Sequence, residues 1–181
     1  MTSQTEIPTL ASLEFLPYLN DQGQLPDELQ GKVGVYAIFD HTKALQFIGF
    51  SRDIFLSLKQ HLVRQLDRCY WIKVKTIDRP NRTVLEEIRA AWIQENGSAS
   101  LGNTTDEAKW NQPIDVKAFM TPAEQSNYDN PVNDEVAQGK ILKNVARRVE
   151  AEILAQLKER GVQAEIRFNP KIKEEGLLDL K

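Results

Sequence analysis

The sequence predicts an α/β (α+β) fold, with a small three-stranded mixed sheet and flanking helices in β-β-α-β-α order, then a long C-terminal helix and a strand. Three observations carry this reading. Two short runs of β-branched and aromatic residues flank a polar turn; two stretches of helical apolar spacing bracket a third, alternating run; and a four-residue apolar repeat dominates the last third of the chain.

Residues 1–30 scatter Leu10, Leu13, Phe15, Leu16 and Leu19 among Pro and Gln without a period, which predicts an irregular lead-in packed on the domain. Val33 to Phe39 reads as a strand, Asp40-His41-Thr42-Lys43 as a turn, and Ala44 to Phe50 as the second arm of an antiparallel hairpin. Ser51 is the expected cap of a helix in which Ile54, Phe55, Leu58, Leu62 and Leu66 share one face as far as about Asp67. From Ile72 to Ile77 apolar and polar residues alternate, the pattern of a half-buried third strand that Pro80 closes. Thr83 with Glu86 has the form of a capping box opening a second helix, with Val84, Leu85, Ile88, Ala91 and Trp92 on its apolar side.

Residues 31–105 thus form one small domain and 106–133 a polar linker, in which Ile114, Val116 and Phe119 supply at most one short strand or turn. Residues 134–181 form a helix–strand extension. Its helix carries Ile141, Val145, Val149, Ile153 and Leu157 and stops at Gly161; Val162, Ala164, Ile166 and Phe168 alternate with polar residues as a final strand.

With 41% apolar and 27% charged residues in a chain of 181, the composition is that of a folded, water-soluble protein. No stretch approaches the roughly 20 apolar residues of a membrane span, and the start lacks a basic region followed by an apolar core. The single Cys69 cannot form an internal disulfide, so a cytoplasmic, reducing setting is expected. A net charge of -3 argues against coating nucleic acid through bulk positive charge. Residues 31–96, however, hold eleven Lys and Arg against seven acids, a local surplus that suits either a phosphate-facing surface or a solvated one.

The hairpin carries Gly34-Val35-Tyr36 on one strand and Phe47-Ile48-Gly49 on the other, with eleven positions from Tyr36 to Phe47. Phe50-Ser51-Arg52-Asp53-Ile54 then leads into a helix bearing His61. From residue 31 to about 103 this resembles the GIY-YIG nuclease family. Within it, Val33-Gly34-Val35-Tyr36, Leu45-Gln46-Phe47, Ser51-Arg52 and Val84-Leu85 resemble the N-terminal endonuclease-type domain of chloroplast monothiol glutaredoxins and related cyanobacterial proteins. No glutaredoxin module accompanies it, and the region after about residue 134 has no counterpart in the family core.

The resemblance implies phosphodiester cleavage with one divalent metal, Mg²⁺ or Mn²⁺. Hairpin tyrosines help activate water, a helix arginine steadies the phosphate and a glutamate on a later helix holds the metal. Carried onto this chain, Tyr36 keeps its hydroxyl, whereas the second tyrosine is Phe47, with neither donor nor acceptor. The arginine position falls on Ser57, so Arg52 is the nearer substitute, with Arg64 about 10 Å further along the helix. Tyr36, Arg52 and His61 are the candidate catalytic residues, and Arg64, Lys73 and Lys75 the candidate substrate contacts. Glu86 and Glu87 are the candidate metal ligands, although the register set by Trp92-Ile93 brings Arg89 closer to the family glutamate. Asn103 matches the asparagine that ends the family core.

Each assignment has a structural alternative: Tyr36 as a strand aromatic, His61 as a partly buried helix histidine, Glu86 as the capping-box acid, Arg52 as a solvated charge. With two groups of the set replaced, the expectation is a binding module for nucleic acid or protein with weak or no phosphodiesterase activity and no cofactor. The alternative is an active metal-dependent DNA endonuclease with a modified site. DNA, or a protein met through the C-terminal helix, is the expected partner; that helix also suits simple docking within the fold.

Overall fold

The computed structural model describes residues 6–97 and 99–181 and divides into two compact units, Met1–Asn111 and Gln112–Lys181. In the first unit the strands are β1 (Leu16–Pro17), β2 (Val33–Phe39), β3 (Leu45–Ser51) and β4 (Trp71–Ile77), and the helices α1 (Ile54–Arg64), α2 (Arg82–Glu95) and the short α3 (Glu107–Asn111). The β-β-α-β-α order is present, within an α+β architecture.

The sheet differs from expectation in two ways: it has four strands, in the order β1-β4-β2-β3, and every pairing is antiparallel. The extra strand comes from the lead-in, where Leu16 and Pro17 pair with Ile72 and Trp71. Two residues carry no readable period, but the outer edge of β4 needs partners for its N–H and C=O groups. The lead-in also sinks Leu10, Tyr18, Leu25 and Leu29 into the core.

Central β2 is paired on both sides, Tyr36 lying between Gly49 of β3 and Val74 of β4. Because side chains alternate across a strand, Tyr36, Ile38, Phe47, Gly49, Ile72 and Val74 share one face, and Val35, Ala37, Ile48, Lys73 and Lys75 the other. The first face receives α1. The second receives α2, whose Leu85, Ile88 and Trp92 close a core with Leu10, Val35, Ala37, Phe39 and Ile48. Each such buried large side chain contributes about 1.5–3 kcal/mol. Strand β4 is therefore covered on both faces rather than one.

Gly34 is required by closeness: a Cβ there would stand 2.3 Å from the Lys75 carbonyl oxygen and 3.0 Å from Ile54 of α1.

The helices start and stop for local reasons, not always the expected ones. Asp53, not Ser51, caps α1 by accepting from the Leu56 amide (3.3 Å); Ser51 braces that turn by accepting from the Asp53 amide (3.0 Å). The helix ends at Arg64, and Leu66–Arg68 is a separate 3-10 turn. Asn81 caps α2, accepting from Val84, so Thr83 falls inside the first turn. The expected Thr83–Glu86 capping box does not form; Glu86 instead pairs with Arg82 at 2.8 Å.

The second unit has its own core around α5 (Glu135–Glu159), which Asp134 caps and which stops before Gly161 at φ 86°. Strand β5 (Ile114–Asp115) pairs with β6 (Leu177–Leu178), a 3-10 turn spans Val116–Phe119, and α4 (Pro122–Tyr128) opens with a Thr121/Glu124 capping box. Residues 106–133 thus contain regular elements. Leu142, Val145, Ala146, Val149 and Leu157 of α5 are buried, as are Val116, Phe168 and Leu178 of the same unit. Arg148 ties α5 to α4 through both Glu124 oxygens (2.7 and 3.1 Å) and the Phe119 carbonyl (2.7 Å).

The strand expected over 162–168 is absent. Exposure alternates along it as the sequence implies, but among the described residues its only ladder contact is an isolated bridge from Phe168 to Leu180. Periodicity reports which way side chains face, whereas a strand also needs a neighbouring backbone. Among the described residues no helix is long and apolar enough to cross a membrane.

Candidate functional site

Strand β2 delivers Tyr36 to the α1 face of the sheet, where the last turn of α1 brings His61 against it. Tyr36 Oη and His61 Nε2 lie 2.7 Å apart. Both side chains are buried, at 3% exposure each. Phe47 from β3 and Trp110 from α3 complete an aromatic box. Phe47 stacks on Trp110 with centroids 5.1 Å apart and planes 5° from parallel, and its ring lies 4.9 Å from that of His61. Gly49 makes room for this group, since a Cβ would lie 2.8 Å from the Tyr36 hydroxyl and 2.6 Å from the Phe47 ring.

Burial pushes the Tyr36 phenol well above its usual 10, against the opposing influence of the Ser57 hydroxyl and the charges of Arg64 and Arg89. Burial, helped by the Arg64 charge, pulls His61 down to about 3, with the Trp110 carbonyl acting weakly the other way. The physical cause is common to both: a dry aromatic box disfavours whichever form carries charge. At neutral pH the pair is an uncharged hydrogen bond. His61 Nδ1 has no hydrogen bond of good geometry among the described residues.

Beside the box a cleft of about 470 Å³ is lined by Tyr36, Phe47, Gly49, Phe50, Arg82, Glu86, Arg89, Glu107 and Asn111. Arg89 donates from Nε to the Ile48 carbonyl at 3.2 Å. That carbonyl also accepts from Asn103 Nδ2 (2.7 Å), while Asn103 Oδ1 accepts from the Ile48 amide (2.8 Å). The Asn103 side chain so occupies the outer edge of β3 as a neighbouring strand would.

Of the residues the sequence singles out, the structure brings together Tyr36 and His61, with Glu86 on the far wall of the same cleft. Arg52 is exposed at the β3–α1 junction and does not line the cleft. Arg64 is turned to the Trp110 carbonyl, to which Nη1 donates at 2.8 Å. Lys73 is 6% exposed on the opposite sheet face, its Nζ donating to the Leu10 carbonyl (3.0 Å) and lying 4.1 Å from the Phe15 ring centre. No room remains there for a substrate contact. Lys75 shares that face, opposite Val35. Glu87 is exposed and outside the cleft.

Sequence reading passed over Trp110, Glu107, Asn111 and Arg82. A tryptophan in a stretch otherwise read as a polar loop was the available signal, because so large an apolar side chain is seldom left in water.

The carboxylates do not assemble for the divalent metal that the family resemblance implies. Glu86 is committed to Arg82, Glu87 points elsewhere, and Arg89 brings positive charge to the same wall. A hard cation takes several oxygen ligands around one point, and no group of three His, Cys, Asp or Glu side chains suited to a metal occurs among the described residues.

No protein-family model matches the chain. Over 90 residues, half of its length, it is 32% identical to a chloroplastic bifunctional monothiol glutaredoxin of Arabidopsis thaliana. The match takes in only 29% of that protein's length. Over half its length, therefore, the chain is homologous to part of a chloroplast monothiol glutaredoxin.

Proposed function

We propose that the first unit is a GIY-YIG nuclease-type fold whose catalytic set is incomplete, and that it serves as a binding module for nucleic acid or protein with weak or no phosphodiesterase activity. The observation that carries this reading is the state of the tyrosine. Tyr36 lies buried against a neutral His61, its phenol held far above its ordinary pKa. A group in that state is a poor proton acceptor for an attacking water. Phe47 adds no hydroxyl, and on the α2 side of the cleft Arg82 and Arg89 flank the one carboxylate, Glu86, which is paired with Arg82. Loss of one preorganised charge-stabilising group costs about 3 kcal/mol of transition-state stabilisation, and here two are replaced. A cytoplasmic setting, where the buried Cys69 stays a thiol, goes with this reading.

The test is cleavage of plasmid DNA with Mg²⁺ or Mn²⁺, the native chain beside Tyr36→Phe. The expected outcome is background cutting by both. Metal-dependent cutting that Tyr36→Phe abolishes would overturn the proposal and favour the second reading, an endonuclease with a modified site. That reading draws on the 2.7 Å approach of Tyr36 to His61, a pairing able to steer a hydroxyl.

A further inference from the structure

We infer that the cleft beside Tyr36 binds a phosphate ester without a metal ion, with the guanidinium of Arg89 seating the phosphate. This rests on the binding-module reading above and deepens it by naming the ligand chemistry.

Arg89 is fixed from behind and open in front. Its Nε is spent on the Ile48 carbonyl, and Asn103 holds that carbonyl in place. Neither Nη group has a hydrogen-bond or ion-pair partner among the described residues, yet Arg89 lines the cleft. A guanidinium presents a planar fork that matches two phosphate oxygens, and holding Nε already sets its plane. Ordering it costs little on binding.

The neighbouring charges fit the same ligand. Glu86, one helical turn before Arg89, pairs with Arg82 at 2.8 Å, and Glu87 lies outside the cleft, so neither occupies Arg89. Glu107 on α3 lines the cleft without an ion-pair partner among the described residues. It repels a phosphate and attracts N–H and O–H donors. Phe47 and Phe50 provide apolar wall between these charges. A phosphate at Arg89 joined to a flat, donor-bearing group turned to Glu107 satisfies both ends, and about 470 Å³ lies in the range of small-molecule sites, about 300–1,000 Å³. A nucleotide unit, free or within a strand, has this chemistry; inorganic phosphate alone has only half of it.

Calorimetric titration of the full chain with inorganic phosphate, a nucleoside monophosphate and a short single-stranded oligonucleotide tests this, each in EDTA and in Mg²⁺. Binding of the monophosphate or the oligonucleotide in EDTA is expected, unchanged by Mg²⁺; which of the two binds more tightly tells a free nucleotide from a strand. Arg89→Gln should weaken that binding roughly tenfold or more, the order for a charge-assisted fork, with Arg89→Lys intermediate. Glu107→Gln should strengthen inorganic phosphate binding while weakening the monophosphate relative to it. Circular dichroism of each variant establishes that it is folded. Binding that appears only with Mg²⁺, or equal binding by a folded Arg89→Gln, or no binding of any probe, overturns the inference. The nuclease assay stands apart from all of these: an inactive chain that binds no phosphate ester defeats this inference alone, and metal-dependent cutting defeats the reading beneath it.

Discussion

Burying an imidazole against Phe47, Tyr36 and Trp110 removes the water that would stabilise its cation, and the Arg64 charge adds repulsion. His61 therefore folds neutral, with a pKa near 3 in place of 6.5. The unfolded chain takes up a proton at this position below about 6.5 while the folded one does not, so the unfolded state binds more protons in that window. The stabilising contribution is complete above 6.5 and is lost progressively as pH falls towards 3. Urea midpoints should decline as pH is lowered from about 6.5 to about 5, where ordinary carboxylates are still largely ionised. His61→Gln should flatten that decline; an unchanged slope would show that the imidazole is not the group responsible. A lysine on an alternating strand reads as solvent-facing, but Ala37 beside Lys73 leaves space, and Phe15 and the Leu10 carbonyl receive the ammonium.

At the scale of elements, the outer edge of the sheet is closed by a side chain. Asn103 both accepts from and donates to Ile48, the two-way exchange that a neighbouring strand makes. Ser100 adds a third tie by donating to the Gln46 carbonyl at 2.8 Å. Gly102 permits the approach, since a Cβ there would stand 2.3 Å from that carbonyl oxygen. Asn103→Ala is expected to cost about 1–3 kcal/mol, the penalty of leaving partly buried backbone groups unpaired. Amide exchange at Ile48 should accelerate in the same variant; unchanged exchange would mean that Asn103 does not guard this edge. The hairpin, both helices and β4 were legible because each has a period that its own residues supply. The true caps Asp53 and Asn81 were less so, because several polar residues precede each helix and packing selects among them. The segment 162–168 differs for the opposite reason: its alternation is present, but the neighbouring backbone reaches only its last residues, where Phe168 bridges to Leu180.

Across the whole molecule, the sheet and helices of the first unit and the α5-centred core of the second are each closed by their own buried residues. A fragment of residues 1–111 is accordingly expected to unfold cooperatively in urea and to keep the Tyr36–His61 environment. Residues beyond 105 belong in it, because Glu107, Trp110 and Asn111 wall the site. A fragment ending at 105 should expose Phe47 and His61 and unfold at lower denaturant; equal midpoints for the two fragments would mean that α3 adds nothing to the box.

By itself the sequence determined the alternation and spacing that make the hairpin and helices. It thereby put Tyr36 and Phe47 on the two arms of one hairpin, and His61 on the helix that follows it. These are consequences of short-range geometry, two residues per strand repeat and 3.6 per helical turn. Only the tertiary structure decided which charges meet the cleft. Arg89, Glu107 and Asn111 reach it from segments distant in sequence, while Arg52, Lys73 and Glu87 are turned away, because the direction of a charged side chain depends on which partner or solvent it finds once the chain has closed.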